Sequence, residues 1–199
     1  MYLLVKYPTR KNMKDIIVID NVIGQEYQNI VEHDVVNLPW FYNRDIALDY
    51  ASEQENPTIG FAHMLFNNGR SMSEKFQFLF PILLQGCSQS NRQFTNLLRA
   101  GAFMHVPNQP HNKYDGVHVN LDNPHWVGLY YVNDSDGDTV FFNETTMNYG
   151  SMDRVERTYT ELTRVSPKKG RMVLFDGARY HSSTSPTSKI RCILTFDFI

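Results

Sequence analysis

Hydrophobic and polar positions change period partway along the chain. In the first hundred residues, "DIIVID" (15–20) is a short apolar run that predicts a strand. The stretch that follows, "NVIGQEYQNIVEHDVVN" (21–37), places Val22, Ile23, Tyr27, Ile30, Val31 and Val35 at helical spacing and predicts one amphipathic helix. "LPWFYNRDIALDYA" (38–51) mixes aromatics with a proline and reads as extended. "SEQENPTIG" (52–60) reads as polar loop and "GFAHMLF" (60–66) as a strand. A helical section is expected around Phe76 to Leu84, followed by a turn and a strand ending near Met104.

Beyond that point the pattern is β. "WVGLYYV", "TVFFN", "TRVSP", "RMVLFD" and "RCILTFDFI" are five short strands rich in aromatic and β-branched residues. Between them lies turn chemistry: "NDSDGD" (133–138), "PKKG" (167–170) and "SPTS" (185–188). A run of short strands with turns of this kind predicts a sandwich or barrel, against one face of which the N-terminal helices pack. No repeat, low-complexity stretch or linker interrupts the chain, so a single domain over residues 1–199 is expected.

Composition narrows the class. The 199 residues are 42% hydrophobic and 13% aromatic, a folded globule rather than a disordered chain. A formal charge of −2 leaves no electrostatic footprint for nucleic acid or an anionic membrane. Two cysteines, Cys87 and Cys192, make no disulfide framework. With no apolar run long enough for a signal peptide or a bilayer span, the expectation is a soluble cytoplasmic protein.

The candidate chemistry begins in "KYDGVHVNLDNPHW" (113–126), where histidines, carboxylates and amides crowd together. His118 stands 63 residues before His181, and His181 stands ten residues before Arg191. In a sandwich the intervening strands can bring the two imidazoles together at one mouth. Two imidazoles and one carboxylate on one face, with open positions opposite, are what non-haem Fe(II) chemistry requires. On a strand, residues i and i+2 point the same way, so His118 and residue 120 project together, but residue 120 is Asn120. An arginine near the C-terminus suits a bidentate clamp on an organic acid.

His118-x-Asn120, "GLYYVNDSDGDTVFF", "GRMVLFDGARYHSS" and Arg191 together resemble the 2-oxoglutarate/Fe(II)-dependent dioxygenases, in particular the small prolyl-4-hydroxylase-like members of marine phages and bacteria. "IIVIDNVIGQEY" and "LPWFYN" look like the N-terminal segments of the phage-type members, so the resemblance covers most of the chain. It implies a mainly β fold with N-terminal helices and a double-stranded β-helix (jelly-roll) core. Helices and strands would then occupy 1–104 and the jelly-roll motifs mostly 100–199. It also implies His118 and His181 as iron ligands, Arg191 and Tyr131 as contacts of the far carboxylate of 2-oxoglutarate, and no catalytic side chain beyond the metal ligands. The cofactors would be Fe(II) and 2-oxoglutarate, and the substrate a protein side chain or small metabolite, with no nucleic-acid or membrane partner. The family has an aspartate where this chain has Asn120.

Three readings of that departure stay open. Asn120 coordinates through its amide oxygen; Asp122, two residues further on, replaces it with the help of a bulge; or no iron binds productively. Asp115 would face the opposite side of a regular strand. His33, His63 and His105 read as surface or hydrogen-bonding residues, and His125 as a direct ligand or a pocket group. "NDSDGD" reads as a tight hairpin turn rather than a calcium loop, and Arg191 could instead pair with Asp176 or Asp197. The polar segment Val106 to Val117 reads as a lid. The competing functions are a catalytically silent jelly roll that binds a carboxylate or peptide, and a viral structural or host-interaction protein.

Overall fold

The computed structural model describes residues 16–44, 46, 58–108, 113–146 and 158–199. In chain order the elements are β1 (Ile17–Ile19), α1 (Gln25–Val36), β2 (Phe41–Asn43), β3 (Gly60–Asn67), β4 (Arg70–Ser71), α2 (Phe76–Leu79) and α3 (Pro81–Gln89). They continue with β5 (Leu97–His105), β6 (Trp126–Tyr131), β7 (Thr139–Thr145), β8 (Glu161–Val165), β9 (Met172–Asp176), β10 (Arg179–Ser183) and β11 (Arg191–Phe198).

The strands form two antiparallel sheets. The larger runs β1-β9-β6-β11-β5-β3-β2 with β4 beside β3, and the smaller runs β10-β7-β8. An isolated antiparallel bridge joins His118 to His181 and adds a fourth short segment to the smaller sheet beside β10. Because side chains alternate along a strand, each strand of the larger sheet sorts its residues between two faces. Tyr130, Leu174, Leu194 and Phe196 face outward and pack with Val31, Val35, Leu79, Ile82 and Leu83 of the three helices. Val127, Leu129, Tyr131, Phe175 and Ile193 face inward against Phe141 and Val165 of the smaller sheet. The helices thus seal one face of the larger sheet, and the site is built between the sheets.

Local structure departs from the sequence expectation in four places. The first helix begins at Gln25, because Asn21 is left-handed (φ 53°) and the Val22 amide bonds the Gly170 carbonyl at 3.0 Å. Within that helix Ile30 is 52% exposed, whereas Gln28 is buried, its amide donating to the Ile23 carbonyl at 2.8 Å. The expected helix near Phe76 to Leu84 is two helices, divided where Pro81 opens α3. "NDSDGD" is not a hairpin: it carries the chain from β6 in one sheet to β7 in the other. There Asp136 accepts bonds from the backbone and hydroxyls of Thr187 and Ser188, which hold its carboxyl down at about 2. Finally, β10 is a strand the pattern did not reveal, since Arg179–Ser183 reads as a continuation of the run before it. Residues 45 and 47–57, the end of the extended segment and most of the polar loop, lie outside the described residues, as do 109–112 in the expected lid.

Candidate active site

β10 and the segment around His118 deliver the two histidines by backbone pairing. Each amide bonds the other's carbonyl at 3.0 Å, and the rings lie with centroids 4.5 Å apart. His181 packs on Phe175 (4.9 Å) and Phe141 (6.4 Å), so hydrocarbon fixes its orientation. The two rings use the same internal anchor. His118 Nδ1 lies 3.0 Å from the Gly116 carbonyl and His181 Nδ1 lies 3.1 Å from the Arg179 carbonyl. A carbonyl only accepts, so each Nδ1 carries the proton and the neutral ring has its lone pair on Nε2. Burial, and then the neighbouring His118, push His181 well below its ordinary value and keep it neutral. A ring whose Nδ1 is committed to a carbonyl presents Nε2 in the donor form a divalent metal takes.

At the other end of the inner face stands Arg191, the first residue of β11, only 2% exposed. Its Nη2 donates to Thr139 Oγ1 at 2.7 Å, and among the described residues its Nε has no hydrogen-bond partner. Neither Asp176 nor Asp197 pairs with it: Asp176 accepts from the Ala178 amide, and Asp197 pairs with Arg99. Burial accordingly draws Arg191 below its usual value. A guanidinium buried without a carboxylate is costly, and an incoming anion relieves that cost. Tyr131 faces this site. Its hydroxyl donates to the same Thr139 oxygen at 2.7 Å, and Arg191 lies over its ring at 5.7 Å.

Sequence reasoning missed two residues here. Thr139 links Tyr131 and Arg191, which only the packing of β7 on the larger sheet reveals. His105, expected as a surface or hydrogen-bonding residue, is buried directly across from Arg191 in the β5–β11 register, and among the described residues its Nδ1 has no partner. Burial, then Arg191 and His118, lower its proton affinity well below the ordinary value. His33 and His63 do behave as expected, His33 beside Asp34 and His63 against the Pro39 carbonyl at 2.9 Å.

Asn120 is buried, and its side chain is committed: Nδ2 donates to Asp197 Oδ1 at 2.7 Å. Asp122 is exposed, and among the described residues no three His, Cys, Asp or Glu side chains gather in a metal-sized group. Asp115 is tied to the Ser183 and Ser185 hydroxyls at 2.6 and 3.0 Å, which pins the described end of the expected lid to the strand carrying His181. His125 is fully buried, with Nδ1 2.6 Å from the Asn123 carbonyl and Nε2 3.8 Å from Asp197. The donors present are therefore two imidazole nitrogens, with an amide where a carboxylate was expected. A buried cation and orphaned polar nitrogens line the same interior. This set fits a divalent metal and an organic dianion.

No family model matches the sequence, and no curated protein is similar enough in sequence to match. Solved structures are similar in shape. A 2OG-Fe(II) oxygenase family oxidoreductase from Burkholderia pseudomallei superposes with a TM-score of 0.63 at 8% identity, over 92% of this chain and 84% of that one. A prolyl hydroxylase from Trichoplax adhaerens, in complex with a hypoxia inducible factor oxygen degradation domain peptide, gives 0.57 at 15% identity over 94% and 84%. HygX from Streptomyces hygroscopicus, with nickel and 2-oxoglutarate bound, gives 0.53 at 13% identity over 96% and 87%. The chain therefore has the double-stranded β-helix, or jelly-roll, fold of the 2-oxoglutarate/Fe(II) oxygenases.

Proposed function

We propose that this protein is a 2-oxoglutarate- and Fe(II)-dependent oxygenase that hydroxylates a protein side chain or a small metabolite. The observation that carries the reading is the buried Arg191, which forms no ion pair among the described residues, on the interior face that also carries the paired imidazoles of His118 and His181. Bound ferrous iron and 2-oxoglutarate would supply oxidative decarboxylation to succinate and CO2, coupled to oxygen insertion into a C–H bond. His118 and His181 would hold the metal through Nε2, and Asn120 Oδ1 is favoured over the exposed Asp122 as the third ligand. Arg191 receives the far carboxylate of the acid, with Tyr131 and Thr139 fixing the guanidinium plane. Leu129, Phe141, Phe175 and Ile193 wall the interior with hydrocarbon, excluding water and strengthening every charge interaction inside.

The test is succinate formation from 2-oxoglutarate by iron-loaded protein, with and without candidate peptides and small acids. Wild type is expected to release succinate and His181→Ala to release none. Equal release from both would remove the reading. One observation favours a second reading: residue 120 is a neutral amide already bound to Asp197. A silent carboxylate-binding jelly roll would bind 2-oxoglutarate through Arg191 and yield no succinate.

A further inference from the structure

Asp197 is fully buried, 0% exposed, and side chains from Asn120 and Arg99 bond it while a third, His125, stands close by. Asn120 Nδ2 donates to its Oδ1 at 2.7 Å, Arg99 Nε donates to its Oδ2 at 2.9 Å, and the His125 ring stands 3.8 Å away. Arg99 also reaches the Asn120 backbone carbonyl at 3.1 Å, so one guanidinium clamps both partners. The β5–β11 register sets Arg99 directly opposite Asp197, and Asp197 stands beside Val127, next to Phe175, the ring on which His181 packs. The cluster therefore lies at the histidine end of the interior rather than at the Arg191 end.

We infer that Asp197 is a positioning residue that supplies, one hydrogen bond removed, the negative charge lacking at position 120. This rests on the oxygenase reading above. An ionised carboxylate only accepts, so it can face only the amide nitrogen of Asn120. The amide is thereby fixed in one of its two orientations, with Oδ1 left as the lone-pair atom for a metal. The charged acceptor also polarises the amide, drawing its N–H toward Asp197 and shifting electron density onto Oδ1. Partners behind a ligand raise its basicity in this way. The pair is complementary in a second sense. An aspartate at position 120 would face Asp197 with two buried acceptors at hydrogen-bonding distance and no donor between them. Asn120 and Asp197 thus form one unit, and replacing the amide alone with the acid does not improve the site.

The experiment is anaerobic titration of apoprotein with Co(II), read by its visible ligand-field absorption, alongside thermal unfolding of each apoprotein. Wild type is expected to bind, and His118→Ala to lose binding. Asp197→Asn is expected to weaken cobalt affinity by about 10–100-fold, the usual effect of losing a partner behind a ligand. Asn120→Asp alone is expected to gain no affinity and to unfold at lower temperature. The swap Asn120→Asp with Asp197→Asn keeps one charge and one hydrogen bond, and it is expected to bind at least as tightly as wild type. It reads the idea even if Asp197→Asn fails to fold. Cobalt affinity unchanged in folded Asp197→Asn, or a folded swap that binds worse than Asn120→Asp, overturns the inference and leaves the oxygenase reading standing. Wild type that binds no cobalt, or His118→Ala that binds as well as wild type, overturns both.

Discussion

Arg191 and Gly177 carry the clearest expectations at the scale of single residues. A buried guanidinium that forms no ion pair among the described residues, and whose Nε has no hydrogen-bond partner there, adds little to stability. Arg191→Met is therefore expected to leave the melting temperature of the ligand-free protein unchanged or higher. It should also weaken 2-oxoglutarate binding by about 2 kcal/mol or more, which calorimetry of both states measures. A large loss of stability with binding intact would show that the arginine is a structural residue. Gly177 is required by contact: a Cβ there would lie 2.3 Å from the His125 ring. Gly177→Ala should cost about 1–3 kcal/mol in urea unfolding, since the ring and its bond to Asn123 must shift. At this scale the sequence was legible where spacing carried information. His118 and His181 are indeed adjacent, and Arg191 does lie on the interior face. Thr139, His105, Arg99 and Asp197 were not legible, because cross-strand register and sheet-on-sheet packing create their contacts.

Among the elements, α3 and the end of β1 show how the scaffold is held. Leu83 of α3 is fully buried against the outer face of the larger sheet, beside Gly128 and Tyr130. Leu83→Ala should destabilise by about 2–5 kcal/mol in chemical denaturation, and a change near zero would mean that the helix does not seal that face. The turn "PKKG" is more than a solvated connection. Lys168 and Arg171 flank Asp20 at the end of β1, and their bonds lower its carboxyl to about 2. A depressed acid stabilises the fold above its unfolded value near 4 and loses that contribution as pH falls toward 2. Wild type should therefore exceed Asp20→Asn in melting temperature at pH 6, and the difference should shrink as pH falls from 4 to 2 and vanish below that. A gap independent of pH would contradict the assignment. Long periodic runs were readable as elements, but the division of the expected helix into two at Pro81 was not. β10 escaped notice because a two-residue turn, Gly177 and Ala178, separates it from β9 and sends it to the other sheet.

For the whole molecule, the architecture was legible because strand spacing and turn chemistry in the second half admit few closed solutions, and the described chain adopts the jelly roll. Which strand joins which sheet was not legible, since both sheets draw on similar aromatic runs. Among the described residues no helix is long and apolar enough to cross a membrane. The central claim is that the two ends of the interior act on one bound pair, metal at His118 and His181 and organic acid at Arg191. Anaerobic titration of the protein with Fe(II) and 2-oxoglutarate, followed by visible absorption, tests it most directly. Wild type is expected to give a weak metal-to-ligand charge-transfer band that appears only with both present and is lost in His181→Ala and in Arg191→Met. No band from wild type, or a band that persists in His181→Ala, would contradict it.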